Sequence, residues 1–167
     1  MPKKIEARRS AIHGNGVFAT AGIAKGERVI RYKGKLRSHE EVDRVYADED
    51  ENGHTFLFTL NDEWVIDANV EGNRARWINH SCEPNCEAVH QEDPKGRAHR
   101  DKIVIEALRD IAAGEELTYN YGIVLDEPYT PALKALWACR CGTPSCSGTL
   151  LQPKPKARKP GKKKKKK

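Results

Sequence analysis

The sequence lacks the features of a membrane protein and of a disulfide-bonded secreted protein. It contains no run of about 18 apolar residues, the shortest stretch that reads as a transmembrane helix. No apolar segment follows Met1-Pro2-Lys3-Lys4, so no secretory signal is expected. Its five cysteines are an odd number, which disfavours a disulfide framework. The length of 167 residues suits one domain with a modest core, and we expect it to be intracellular with no membrane contact.

Acidic residues are absent from the C-terminal segment Pro153–Lys167, which carries nine lysines and one arginine. The whole chain has 30 basic and 24 acidic residues, so the other 152 residues carry 20 basic against 24 acidic groups, a balance of −4. A segment of this composition buries little apolar surface and is expected to be disordered. One interpretation is that it binds nucleic acid without sequence specificity. Others are that it acts as a nuclear localisation signal, that it increases solubility, or that it is a solvated tail with no dedicated partner.

Three of the cysteines, Cys139, Cys141 and Cys146, fall within eight residues of one another. A closed tetrahedral zinc site needs four ligands, and the distant Cys82 can supply the fourth. Unconnected structural thiols are the alternative, although the tight triplet is unlike scattered core cysteines. The pattern predicts one structural zinc held by these four thiols and leaves Cys86 as a small packed residue.

A zinc site divided in this way has a consequence for the neighbouring pair Asn79-His80. If Cys82 is the fourth ligand, the metal fixes the C-terminal segment against that stretch of the chain. A cofactor bound beside Asn79 and His80 would then lie under a lid that is ordered only when zinc is present.

Short β-rich stretches alternate with turn signals along the chain, and no internal repeat is apparent. Ser38 and Glu41 have the spacing of a capping box, which predicts a short helix to about Tyr46. A second short helix is predicted over Pro131–Trp137. The predicted strands are residues 17–19, 28–32, 55–60, 64–68, 102–107 and 117–119. Many short strands and little helix predict a mostly β domain built from several small sheets.

Five blocks of the sequence occur in an order that carries further information. They are residues 10–18, 29–34, 72–86, 115–122 and 139–150. In this order they resemble the SET-domain family of protein lysine methyltransferases over residues 5 to 151. The opening block, with Ile12-His13-Gly14-Asn15-Gly16, is most similar to the trithorax-like branch.

The resemblance implies a SET-domain (β-clip) fold over residues 5–124 and a post-SET zinc-binding segment over residues 125–151. Residues 152–167 are the lysine-rich tail. The implied activity is methyl transfer from S-adenosylmethionine to a lysine amine of a basic protein, such as a histone tail. The implied location is the cytoplasm in a bacterium, or the nucleus and chromosome in a eukaryote. Nothing in the sequence predicts an oligomeric state.

The resemblance also assigns roles to residues. Tyr121 matches the catalytic tyrosine, Tyr119 the position that limits how many methyl groups fit, and Tyr32 a tyrosine near the methyl-transfer end. Without the resemblance, Tyr121 reads as an ordinary buried core tyrosine. The implied cofactor-binding residues are His13, Gly14, Asn15, Gly16, Tyr32, Asn79, His80, Trp137 and Arg140. Of these, Asn79 would bind through its amide and His80 mainly through its backbone, whereas Trp77 is expected to be structural.

The sequence departs from the family pattern at Lys35, where an acid is usual, and at Phe56, where many members have tyrosine. The second departure removes a hydroxyl from the expected lysine channel. A different class of function stays open beside the enzyme: a catalytically weak SET-fold scaffold that acts on chromatin or a nucleoid through the polylysine tail. A zinc-dependent nucleic-acid-binding protein is disfavoured because the folded part is net negative.

Overall fold

The computed structural model describes residues 3–50, 52–53 and 55–154, and the predicted tail lies outside the described residues from position 155 onward. Its two helices are α1 (His39–Val45) and α2 (Pro131–Leu136). Its strands are β1 (Ile5–Arg9), β2 (Asn15–Ala19), β3 (Arg28–Tyr32), β4 (Lys35–Ser38), β5 (Leu57–Thr59), β6 (Trp64–Asp67), β7 (Asn79–His80), β8 (Cys86–Gln91), β9 (Lys102–Ala107) and β10 (Thr118–Tyr119). Short 3-10 turns cover Arg74–Trp77 and Ala98–Arg100. Within the described part of the chain, no helix is long and apolar enough to cross a membrane.

The strands form four small sheets, which confirms the predicted mostly β architecture. Two sheets have three strands, in the orders β3-β9-β8 and β4-β6-β5, with antiparallel pairing throughout. The other two have two strands: β1 pairs antiparallel with β2, and β7 pairs parallel with β10. The β7–β10 pair brings Asn79 beside Thr118 and His80 beside Tyr119. It therefore joins two of the blocks that the sequence singled out.

The predicted hairpin over residues 55–68 is confirmed as the antiparallel pair β5–β6. Its turn is closed by Asn61, whose Oδ1 accepts hydrogen bonds from the backbone N–H groups of Glu63 and Trp64. An asparagine that bonds its own backbone two residues on is a common turn former. In β6 the side chains of Val65 and Ile66 are both buried.

The first predicted helix is also present, and its N-terminus is capped as expected. The Ser38 hydroxyl accepts a hydrogen bond of 3.1 Å from the backbone N–H of Glu41. The carboxylate of Glu41 forms an ion pair with Arg37, which also donates from Nε to the buried Asp67 at 2.8 Å. The helix therefore has the serine half of a capping box alone, because the Glu41 carboxylate is bonded to the buried Arg37.

Most buried apolar side chains form one core between the sheets. Its fully buried members include Val17, Ile78, Ile105 and Leu117. Cys86 belongs to the same core with no exposed surface, as predicted for a small packed residue, and burial raises the pKa of its thiol to about 12. A thiol with such a pKa stays protonated and is a poor metal ligand.

The segment after β10 has a smaller core of its own. Leu133 and Trp137 from α2 and its end pack with Leu151, and Ile123, Leu125, Tyr129 and Leu150 lie against them. The helix begins after Thr130, whose hydroxyl accepts from the backbone N–H of Leu133, and Pro131 occupies its first turn. Bridges between Ile123 and Leu151 and between Ala138 and Thr149 close the segment on itself. These contacts order the segment that carries the cysteine triplet.

Candidate functional site

The four cysteines singled out by the sequence lie together in the structure. The Sγ atoms of Cys82, Cys139, Cys141 and Cys146 are all within 4.8 Å of one another. The Sγ atoms of Cys82 and Cys139 are 3.8 Å apart. A zinc–sulfur bond of about 2.3 Å gives a tetrahedron with edges of about 3.8 Å, whereas a disulfide needs about 2.0 Å. The donor set and its spacing therefore fit a tetrahedral metal ion.

Local hydrogen bonds prepare the cysteine cluster for a cation. Burial opposes ionisation of Cys141, but hydrogen bonds from the backbone N–H of Cys82 and from Thr143 outweigh it and lower the pKa of Cys141, whereas burial raises the pKa of Cys139. The thiolate, the form that binds metals, is thus favoured at Cys141. The loop is held by backbone bonds from Cys139 to Gly148 and from Cys146 to Thr143.

The side chain of Asn79 is buried at the start of β7 and is held by three acceptors. Its Nδ2 lies 3.2 Å from the carbonyl oxygen of His13, 3.1 Å from that of Asn15 and 2.9 Å from Oε1 of Glu116. All three acceptors require the amide nitrogen to face residues 10–18, which we call the opening loop, and the Glu116 carboxylate beside it. The amide oxygen is thereby left to accept a hydrogen bond from a ligand.

Glu116 is the residue of this network that the sequence did not reveal. Both of its carboxylate oxygens accept from the Ser10 hydroxyl, at 2.7 and 2.9 Å, and one also accepts from Asn79. The adjacent Glu115 instead forms an ion pair with Arg109 at 3.0 Å. Two neighbouring glutamates thus have different partners, and only the fold distinguishes them.

Gly16 has a packing role that the sequence did not reveal. A Cβ atom at this position would lie 2.3 Å from Oε1 of Glu116 and 2.9 Å from Cβ of Ser10. The absence of a side chain at Gly16 therefore makes room for the carboxylate that orients Asn79. The sequence had indicated only that a glycine would let the main chain approach a ligand.

Gly16→Ala should destabilise the protein by about 1–3 kcal/mol and weaken cofactor binding, because the methyl group displaces the Glu116 carboxylate. Thermal unfolding and calorimetric titration with S-adenosylmethionine measure the two effects. Gly22→Ala is the matched control, since a Cβ at Gly22 meets no atom within 4 Å. Equal behaviour of the two variants would show that the Glu116 carboxylate does not depend on Gly16.

A small cavity of about 120 Å³ lies between the opening loop and the cysteine-bearing segment. It is lined by Ile12, His13, Asn52, Gly53, Asn79, His80, Tyr121, Ala135, Leu136, Ala138, Arg140 and Leu150. Gly53 packs closely on the end of α2, because a Cβ at Gly53 would lie 1.8 Å from the carbonyl oxygen of Leu136. Segments more than 80 residues apart in the chain therefore meet at this cavity.

A larger groove of about 490 Å³ adjoins the first cavity, and we call it the tyrosine groove. It is lined by Tyr32, Thr55, Leu57, Phe58, Thr59, Arg76, Tyr119, Tyr121, Gly122, Ile123, Val124, Leu125 and Trp137. The ring centroids of Tyr119 and Tyr121 are 4.9 Å apart, and those of Tyr32 and Phe58 are 5.0 Å apart. Among the described residues that line them, Tyr121 is shared by both cavities.

The structure brings together some of the sequence-predicted cofactor residues and separates others. His13, Asn79, His80 and Arg140 line the small cavity. Tyr32 and Trp137 line the tyrosine groove instead. Gly14, Asn15 and Gly16 line neither the small cavity nor the tyrosine groove. The main-chain oxygen of Asn15 accepts a hydrogen bond from the Asn79 amide nitrogen.

The tyrosine hydroxyls of the groove stay protonated at neutral pH. Burial raises the pKa of Tyr32, Tyr119 and Tyr121 well above that of free tyrosine. Tyr121 donates to the carbonyl oxygen of Ile78 at 2.7 Å, and Tyr32 donates to that of Phe56 at 3.1 Å. With its proton committed, the Tyr121 oxygen can still accept a hydrogen bond or face a partial positive charge.

One cation lines the same groove. The Arg76 guanidinium lies 4.6 Å from the ring centroid of Trp77 and 5.7 Å from that of Phe56, and it donates to the carbonyl oxygen of Ala68 at 3.1 Å. Its Nε is the one buried side-chain nitrogen or oxygen in the described residues that has no hydrogen-bond partner. Trp77 packs against the main core, in agreement with its expected structural role.

Comparison with known proteins agrees with this geometry. Residues 14–122 match the SET domain family. A histone-lysine N-methyltransferase, H3 lysine-4 specific, from Chaetomium globosum is 41% identical over 157 residues, covering 89% of this chain and 13% of its own length. Histone-lysine N-methyltransferase trithorax from Drosophila virilis is 41% identical over 139 residues, covering 83% of this chain and 3% of its own length.

A solved structure gives the same result at the level of the fold. The structure described as ctPRC2 in an autoinhibited conformation bound to S-adenosylmethionine matches with a TM-score of 0.65 and 36% identity. The match covers 73% of this chain and 15% of that chain. The chain thus spans only a small part of each of these proteins. Its four-sheet fold, its matched residues and its similarity to the trithorax relatives together show that the chain belongs to the SET-domain family.

Proposed function

We propose that this chain is a protein-lysine N-methyltransferase that takes its methyl group from S-adenosylmethionine. The observation that carries the proposal is the position of Tyr121, which lines both the small cavity and the tyrosine groove. Two ligands that enter from opposite sides would meet at this one side chain. Relatives named as histone-lysine N-methyltransferases support the same chemistry.

The small cavity of about 120 Å³ is proposed to receive one end of S-adenosylmethionine, whose sulfonium supplies an already activated methyl group. The Asn79 amide oxygen is free to accept from an ammonium group, since its nitrogen is held by His13, Asn15 and Glu116. His13, His80 and Arg140 line the same cavity. Gly14 and Gly16 would act indirectly, by shaping the loop that carries His13 and Asn15.

The tyrosine groove is proposed to receive the lysine side chain of a basic protein. Free lysine has a pKa near 10.4, so only about one amine in a few thousand is neutral at pH 7. Burial among Tyr32, Phe58 and Tyr119 disfavours the charged form, and the Arg76 cation acts in the same direction. The amine therefore loses its proton to solvent before it is aligned, and no carboxylate base is required.

Tyr121 is proposed to align the neutral amine, and Tyr119 to limit the space for added methyl groups. The Tyr121 hydroxyl is fixed by its bond to Ile78, so its oxygen presents a lone pair to the groove. Positioning of this kind supplies a large share of the rate in transfer between two bound reactants. Tyr32 is held by its bond to Phe56 and would serve the lysine side of the groove.

The proposal is tested with S-adenosylmethionine labelled in its methyl group. The zinc-loaded chain is incubated with histones, ribosomal proteins and a cell lysate, and labelled lysines are located by mass spectrometry. We expect label on lysine Nζ of a basic protein, and a rise in the melting temperature when S-adenosylmethionine is added. Binding of the cofactor without label on any protein would instead support a scaffold.

The lysine-rich tail is proposed to hold the enzyme near nucleic acid. The enzyme would then be located in the nucleus and on the chromosome in a eukaryote, or in the cytoplasm in a bacterium. Deletion of residues 155–167 should weaken binding to duplex DNA and reduce its salt dependence, because fewer counterions are released. Methylation of a short free peptide should be unchanged. An unaltered salt slope after deletion would contradict this role.

A further inference from the structure

His80 lines the small cavity, and its side chain contacts both the cysteine cluster and the Tyr121 main chain. Its side chain is almost fully buried, with 3% of its surface exposed. Its Nδ1 lies 3.1 Å from the backbone nitrogen of Tyr121, and its Nε2 lies 3.6 Å from Sγ of Cys82. The two ring nitrogens therefore face two different parts of the proposed machinery.

The contact with Tyr121 determines where the ring proton sits. A backbone N–H can only donate, so Nδ1 must accept and cannot carry a proton. A neutral imidazole then has its proton on Nε2, and this N–H points toward the Cys82 sulfur. A thiolate that binds a metal is a good acceptor for such a donor.

The other polar neighbour of the Cys82 sulfur is already committed. The Ser147 hydroxyl oxygen lies 3.7 Å from Sγ of Cys82, but it donates its proton to the carbonyl oxygen of Thr149 at 2.9 Å. The Cys139 sulfur, 3.8 Å away, is itself one of the four proposed ligands. His80 is therefore the side-chain donor best placed to serve this sulfur within the described residues.

We propose that His80 is a positioning residue that links the metal-binding thiolate of Cys82 to the catalytic tyrosine, with its ring held as the Nε2–H tautomer between Cys82 Sγ and the Tyr121 N–H. The ring also meets the Tyr121 ring edge-on, with centroids 5.4 Å apart. Metal binding orders Cys82, Cys82 fixes the imidazole, and the imidazole fixes the main chain of Tyr121. This role goes beyond the expected backbone contact of His80 with the cofactor, and it rests on the proposed function of Tyr121 and of the four cysteines.

Nuclear magnetic resonance of the zinc-loaded, ¹⁵N-labelled protein tests the link without any assay of activity. The His80 ring should show one protonated nitrogen, Nε2, and an unprotonated Nδ1. A Nδ1–H tautomer would overturn the proposal, because Nδ1 could then not accept from Tyr121. This measurement needs no variant, so it holds even if substitutions at His80 impair folding.

Two half-mimics of histidine separate the two contacts. His80→Asn places an oxygen near the Nδ1 position, so it should keep the Tyr121 amide protected from hydrogen exchange while zinc affinity falls about 10-fold or more. His80→Gln places an N–H near the Nε2 position, so zinc affinity should stay near that of the parent chain while the Tyr121 amide exchanges faster. If zinc affinity and Tyr121 exchange match the parent chain in both variants, the link does not exist.

These readouts also distinguish failure of the link from failure of the proposed function. An active parent chain whose His80 carries its proton on Nδ1 would refute the link alone. A parent chain that transfers no methyl group, but shows the expected tautomer and zinc affinities, would refute the methyltransferase proposal and leave the link intact.

Discussion

Tyr121→Phe should lower the rate of methyl transfer on the order of 10²-fold while cofactor affinity stays near that of the parent chain. The hydroxyl lies where the small cavity and the tyrosine groove meet, so its loss affects the alignment of the two reactants. Its hydrogen bond to Ile78 is also lost, which should cost about 1 kcal/mol of stability and leave the fold intact. Single-turnover rates and calorimetric titration with S-adenosylmethionine separate the two quantities.

Tyr46→Phe is the matched control for this substitution. The Tyr46 hydroxyl donates to Asp67 at 2.6 Å, and Tyr46 lines neither the small cavity nor the tyrosine groove. It should lose stability but retain its rate per folded molecule. A Tyr121→Phe enzyme with an undiminished rate would mean that another hydroxyl aligns the amine.

In the parent chain the rate of methyl transfer should rise with pH toward the pKa of the bound lysine, because only the neutral amine reacts.

Cys139→Ser should lower zinc affinity by more than about 100-fold and should weaken cofactor binding in the same step. The sulfur lies 3.8 Å from that of Cys82, and its loss leaves three thiolates for a tetrahedral ion. Without the metal, the segment that carries Arg140 is no longer tied through Cys82 to the stretch that carries His80. Zinc content by metal analysis and S-adenosylmethionine affinity by titration should therefore fall together.

The remaining cysteine supplies the control for the metal site. Cys86→Ala should bind one zinc per chain like the parent protein, because its thiol is buried in the main core and stays protonated. Cys82→Ser, by contrast, should behave like Cys139→Ser although it lies 57 residues away in the chain. Full zinc occupancy in Cys82→Ser would remove Cys82 from the site.

The features that could be predicted from the sequence are those with a local chemical signature. The cap of Ser38 on α1 and the β5–β6 hairpin closed by Asn61 both depend on residues within a few positions of one another. The spacing of the cysteine triplet is equally local, and the need for four ligands led to Cys82. Such short-range signals for a helix, a hairpin or a ligand cluster do not depend on how the rest of the chain folds.

The features that could not be predicted depend on long-range packing. Nothing in the sequence distinguishes Glu115 from Glu116, yet the fold turns one toward Arg109 and the other toward Ser10 and Asn79. The parallel pairing of β7 with β10 involves two residues in each strand and arises only when distant blocks meet. The two contacts of His80 follow from that pairing, so its side-chain role was hidden as well.

The measurement that tests the central proposal most directly is the mass of a lysine-containing histone peptide after incubation with the zinc-loaded chain and S-adenosylmethionine. We expect a gain of one or more methyl groups, located on a lysine Nζ, and loss of that gain in Tyr121→Phe. A peptide of unchanged mass, with no labelled protein in a lysate exposed to the same cofactor-bound chain, would contradict the proposed methyltransferase.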